Sequence, residues 1–409
     1  METYMNDPFY NPVLPSHVPP GIVYDFNIYD YEGRDPFEVI HEMHNAGLPE
    51  IFWTRNNGGH WVAFGADAIS AVAQDPGSFS SERPIVPDQQ NFDSPVFIPL
   101  VLDPPDHAAY RHVIAPLFHI RRIALLEESI RDFTDALILK VKEKGRCDFM
   151  LEFAEQMPIV VFLRLLDLPL EDRPRLLELA GNVVKPDEGG HRNDPIQEIV
   201  NYVRPIVEDR FAHPREDIIS QIVTSTVQGR PLEVEEMVKL TTNVLLAGLE
   251  TVSSALGFTA HYLATRPSIR QRLAQEPALI PGAVEEFLRR FSPAVTGRIL
   301  TKDLTFRGIP MKRREHIVWA MAMFNLDNHH FDHPIDIDFA RKRTQHAAFG
   351  AGVHFCLGAF LARMELRVFL ERWLQAIPDF SLVSGATLEY RTGLAMSLRN
   401  LPLSIGANG

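Results

Sequence analysis

The run "RPLEVEEMVKLTTNVLLAGLETVSSALGFTAHYLATRP", residues 230–267, constrains this chain most. Its middle is apolar nearly all round, which predicts a long helix that crosses an interior instead of lying on a surface. A helix buried on every side needs other helices around it. Their pattern is present: from about residue 106 to 280 apolar residues recur three or four apart, as in "RIALLEESIRDFTDALILKVKEK". "IPGAVEEFLRRF" and "AFLARMELRVFLERWLQAI" predict two more helices. "HWVAFG" (60–65), bounded by glycines, predicts a short strand. "GRILTKDLTFRGIPMKRREHIVWAMAM" alternates like short strands, with Gly-Ile-Pro as a turn. The first 50 residues, rich in proline and tyrosine, are expected to wrap the surface. The expected fold is mainly α with a small β portion, in one large domain over residues 1–409.

Composition narrows the class. With 409 residues, 45% of them hydrophobic and 23% charged, the chain reads as a soluble globular protein. A net charge of −13 argues against a generic nucleic-acid binder and leaves room for a local basic patch. Two cysteines far apart cannot make a disulfide framework, so a cytoplasmic location is expected. The acidic, proline-rich start is not a signal peptide, and no run of about 18 apolar residues predicts a membrane span.

One of those cysteines sits in "AFGAGVHFCLG", residues 348–358, spaced Phe349-x-x-Gly352-x-His354-x-Cys356-x-Gly358 and running into a helix. A dinucleotide loop would want a third glycine where Phe355 stands, and an apolar strand before it. A zinc site would want more ligands nearby. A nucleophile with a distant histidine base stays open, as does a buried structural thiol, the commonest fate of a lone cysteine. A thiolate ligand to haem iron would use the whole pattern. Glycines let a flat macrocycle approach, and the helix start offers N–H groups and a favourable dipole to the sulfur. Phe349 would shield the sulfur, and His354 could meet a propionate.

The stretch resembles the haem-binding loop of the cytochrome P-450 superfamily, whose fifth iron ligand is a cysteine thiolate. The resemblance runs from about residue 15 to 405 and is nearest to the bacterial camphor 5-monooxygenase family, through "PSHVPPGIVYDFNIYD", "WTRNNGGHW", "FIPLVLDPP" and "GRILT". It implies a cytochrome P-450 fold with the long central helix over haem b (iron protoporphyrin IX), held through Cys356. Glu286 and Arg289 of "EEFLRR", with Arg341, would form a buried scaffold network. His107, Arg111, Arg298 and His354 would neutralise the propionates, with Phe349 and Gly352 lining the loop. Thr251, bonding back to the carbonyl of Ala247, would open a groove for dioxygen, and Glu250 beside it would share proton delivery. Lys185 is a candidate partner for Glu250.

The same resemblance implies a small hydrophobic substrate and O2, electrons from a [2Fe-2S] ferredoxin served by an NADH-dependent reductase, and a monomer. Arg111 and Arg363 would form a basic patch for the ferredoxin. By correspondence, Leu246, Ala247, Ala294, Leu100 and Ile85 form the pocket, and Asn243, two turns before Thr251, adds a polar contact. No tyrosine lies between Ile85 and Leu102, where the camphor enzyme holds its ketone; Pro95 or Val96 falls there. That argues against camphor and for another compact terpenoid, such as cineole or a norisoprenoid. Peroxide-driven turnover and a non-catalytic haem or ligand sensor are the rival readings. The histidines of "NHHFDH" (328–333) read as a turn before a metal site.

Overall fold

The computed structural model describes residues 10–11, 13–87, 97–184, 193–342 and 345–406. Lys185, Pro95 and Val96 lie outside them. The helices that carry the argument are α1 (Asp106–Ile114), α2 (Glu127–Lys144), α3 (Gln156–Leu165), α4 (Val234–Ala247), α5 (Leu249–Thr265), α6 (Ile280–Arg290) and α7 (Ala359–Ala376). The main sheet uses β1 (Ile51–Thr54), β2 (His60–Ala63), β3 (Phe79–Ser80), β4 (Val295–Leu300) and β5 (His316–Ala320) in the order β1-β2-β5-β4-β3. A late hairpin pairs β6 (Tyr390–Arg391) with β7 (Ser397–Leu398).

The central apolar run forms α4 and α5, not one helix. The break falls at Gly248, whose side-chain position is taken by Phe162 of α3: a Cβ there would lie 2.2 Å from the ring. An aromatic ring pressed into a helix removes the space a continuous turn would need for any residue but glycine. α5 is buried on nearly every face, from Leu249 through Ala264. α7 packs against α2, α5 and α6, and its buried face runs through Leu361, Leu366, Phe369, Leu370 and Trp373.

Two local expectations change. The first 50 residues do not merely wrap the surface: Val18, Phe26, Ile28, Tyr31, Phe37 and Ile40 are buried. Tyr24 and Phe26 set their rings edge-on to Phe52 of β1, at 5.4 and 5.9 Å between centroids. The turn after β4 is Arg307-Gly308, both at positive φ (50° and 83°), while Ile309 and Pro310 belong to a strand. Gly308 takes the left-handed conformation at little cost, so the tight turn forms one residue earlier than Gly-Ile-Pro suggested.

Register in the main sheet fixes what reaches the interior. β5 pairs antiparallel with β4, setting Ile317 opposite Arg298, and the Arg298 guanidinium lies 5.4 Å over the Trp319 ring. Period-two alternation therefore places Arg298 and Trp319 on one face of the sheet.

Candidate active site

α4, α5, the residues before β4, the loop 347–358 and the start of α7 enclose one cavity of about 500 Å³. Every residue proposed from the sequence for pocket or oxygen chemistry lines it: Ile85, Leu100, Asn243, Leu246, Ala247, Glu250, Thr251 and Ala294. So do Cys356, His354, Phe349, Arg298, Arg111 and His107.

The loop is built tightly around Cys356. Its N–H donates to the Phe349 carbonyl at 2.9 Å, closing the chain on itself. The thiol is open to the cavity but otherwise surrounded by protein. Burial pushes the thiol up further than the Gly358 N–H and the charges of Arg111 and Arg363 pull it down. That is an environment ready to hold a thiolate once a cation joins it. Gly352 serves a different neighbour from the one expected. At φ +68° its Cβ would lie 2.5 Å from the Ala73 carbonyl, so its missing side chain seats the loop against backbone, not against a cofactor.

Beneath the loop lies the ionic scaffold. Arg289 donates to Glu286 at 2.8 and 3.1 Å, and Arg341 donates to the same carboxylate at 2.9 Å. Arg289 also reaches the carbonyls of Asn325, Pro334 and Asp336 at 3.0, 2.6 and 2.8 Å. Burial works against the Glu286 charge, and the guanidiniums and the Asp338 N–H outweigh it, holding the carboxyl below its usual range. All three members sit in one closed network. Arg363 is less free than a docking patch needs. It makes two bonds to Glu285, at 2.7 and 2.9 Å, and its cation lies 4.5 Å over Phe349.

The basic group is only partly cationic. His354 bonds Ser81 Oγ at 2.9 Å, and burial followed by Arg298, His107 and Arg111 brings it down to about 3. His107, 4.2 Å from the His354 ring, is lowered by burial and by Arg111. Both imidazoles are therefore neutral at neutral pH, and the charge comes from the arginines. Arg298 is buried and pushed down to about 10 by that burial, with Asp103 the one acid opposing it. It donates to the Gly297 carbonyl at 2.7 Å, and it has no carboxylate partner among the described residues. Arg111 donates to the Phe355 carbonyl beside Cys356.

On the opposite wall, Asn243 is 9% exposed and makes no hydrogen bond among the described residues. The Thr251 back-bond to Ala247 does not form either; the helix is interrupted at Gly248 instead. Sequence reading missed Arg391 of β6, which lines the cavity with Glu250 and Glu155 and feels both charges. It also missed Ser81, Glu285 and Phe162, whose roles come from contacts far along the chain. The histidines of 328–333 form a turn: the His329 N–H caps Asp327 at 2.8 Å and His330 packs edge-on to Phe324. Among the described residues, no group of three or more histidine, cysteine or acidic side chains could hold a metal ion.

The comparisons with known proteins bear on this site. The family profile described as Cytochrome P450 matches residues 189–382. A protein described as probable cytochrome P450 127A1, from Sinorhizobium fredii, is 35% identical over 96% of this chain and 97% of its own. The chain belongs to the cytochrome P450 family. This P450 is also 32% identical to a vitamin D(3) 25-hydroxylase of Pseudonocardia autotrophica, over 81% of this chain and 84% of that one. Among solved structures, CYP101J2 superposes with a TM-score of 0.90 at 35% identity, covering 97% of this chain and all (100%) of that chain. CYP101C1 gives a TM-score of 0.89 at 32% identity, covering 97% of this chain and 100% of that chain. The fold is thus the mainly helical P450 fold, and the chain is an oxidoreductase of the monooxygenase type. No helix among the described residues is long and apolar enough to cross a membrane.

The family uses haem b, and the residues present fit it. The buried Arg298 without a carboxylate partner and the orphaned Nε2 of buried His107 are what two propionates would satisfy.

Proposed function

We propose that this P450 inserts one atom of O2 into a C–H bond of a small hydrophobic, terpenoid-like molecule, with Cys356 as the iron ligand and residues 1–409 as one haem domain. The observation that carries the reading is a single thiol in a cavity wall, within reach of the Gly358 N–H and of the charges of Arg111 and Arg363. Haem b, when bound, supplies oxygen activation. The chain supplies the rest. Arg298, Arg111, His107 and His354 hold the propionates, and Phe349 keeps water from the sulfur. Glu250 takes protons from solvent at its carboxylate and passes them to Thr251 Oγ1 across the groove at Gly248.

Leu246, Ala247, Ala294, Leu100 and Ile85 exclude water and shape the substrate space, and the free carboxamide of Asn243 hydrogen-bonds an ether, alcohol or ketone oxygen. That favours an oxygenated terpenoid over a plain hydrocarbon. Electrons come from a [2Fe-2S] ferredoxin served by an NADH-dependent reductase, docking near Arg111 in the cytoplasm on a monomeric chain. The test is the CO-bound, reduced spectrum. A red-shifted Soret band is expected, and haem-replete protein lacking it would rule out thiolate ligation.

A further inference from the structure

Glu365 is a carboxyl group with no counterpart in the reading above. It lies on α7, is completely buried (0% exposed) and lines the cavity. Neither carboxyl oxygen has a hydrogen-bond partner among the described residues. Cys356, Arg111, Glu155, Glu250 and Arg391 line the same cavity, and charged groups on the helices packed around α7 are engaged elsewhere. Glu127 and Arg131 of α2 pair with Arg367 and Glu371, and Asp135 with Arg372. Glu285 of α6 pairs with Arg363. Arg270 bonds the carbonyls of Pro378, Leu263 and Phe380, and Arg122 bonds Gln221. No charge acts on Glu365, and burial by itself raises it to about 8. An ionised, unpaired carboxylate in such a place loses its hydration with nothing to replace it, so the group stays protonated. A leucine would fill the same space with no orphaned oxygen.

We infer that Glu365 is a second acid of the cavity: a neutral, proton-holding carboxyl whose charge state is coupled to one-electron reduction of the haem site. The inference rests on the haem reading above. When the acid is ionised, its buried negative charge opposes an incoming electron. Reduction then takes one electron from a one-electron donor and one proton from water onto a Glu365 oxygen, and no other bond forms or breaks. When the acid is already neutral, the electron enters without a proton.

The experiment is a redox titration of the holoenzyme across pH, together with infrared spectroscopy of the same samples. The wild-type midpoint potential should be flat below about pH 8 and fall above it. Glu365→Gln should be flat throughout, and Glu365→Asp should keep a break. The infrared carbonyl band of a protonated acid should fade around the same pH and be missing in Glu365→Gln. A Glu365→Gln enzyme that keeps the wild-type break, or keeps that band, overturns the inference. If the band titrates as expected while the CO spectrum lacks its red shift, the haem-thiolate reading fails and the protonated acid stands.

Discussion

The two walls of the cavity are built on opposite terms. Under the cysteine loop the scaffold charges are answered: Arg289 and Arg341 share the Glu286 carboxylate, and Arg363 is held by Glu285. Across the cavity, the Asn243 and Thr251 side chains line the space with no hydrogen-bond partner among the described residues. Arg298, on the border, is buried with no carboxylate partner among the described residues. Closed networks locate the scaffold, whose task is to hold one geometry. Open donors and acceptors locate where something else must bind, since a buried polar group left unmet costs free energy.

Substitutions can break that contrast, beginning with the largest effect. Cys356→Ala should abolish the red-shifted CO band outright and all turnover with it; any thiolate spectrum remaining would place the ligand elsewhere. Glu286→Ala leaves Arg289 and Arg341 with backbone carbonyls but without their shared counter-charge, and should cost about 3–5 kcal/mol in denaturant unfolding. A loss of less than about 1 kcal/mol would mean the network is not the scaffold argued here. On the open wall the same kind of change should spare stability and cost chemistry. Thr251→Ala should fold normally yet divert most NADH oxidation to peroxide, read as product formed per NADH consumed. Asn243→Leu should weaken the spin-state shift caused by oxygenated terpenoids about three- to tenfold, the worth of one hydrogen bond, and leave hydrocarbon analogues unaffected.

A smaller effect sharpens the comparison from outside the cavity. His60 is fully buried in β2, and burial, then the nearby His316, lowers it to about 3. Its folded value lies below the unfolded one near 6.5, so its contribution is complete above pH ~6.5 and declines as pH falls toward 3. His60→Gln should therefore flatten the acid limb of the thermal-midpoint curve. An unchanged limb would assign acid unfolding to other groups.

How much of this was legible beforehand follows from how local each signal is. The loop spacing around Cys356 and the i, i+3 pair of Glu286 and Arg289 are contiguous patterns, readable because helix and turn geometry act over a few residues. The break at Gly248 was not, because Phe162, some 86 residues earlier, makes it. Nor was Gly352's real neighbour, the Ala73 carbonyl. The neutrality of His354 also escaped the sequence. A histidine offered as a cation becomes neutral once the fold buries it and sets two arginines and a second histidine around it.

The sequence by itself determined the family, the helical class, the thiol and its loop, and the list of residues that meet at the cavity. Tertiary structure decided which of them carry charge, which are held by partners and which are left open. It also brought Arg391 to the cavity from beyond α7, and it left Glu365 of α7 buried there without a hydrogen-bond partner among the described residues. Burial and long-range charge decide those properties, and neither is a property of neighbours in sequence.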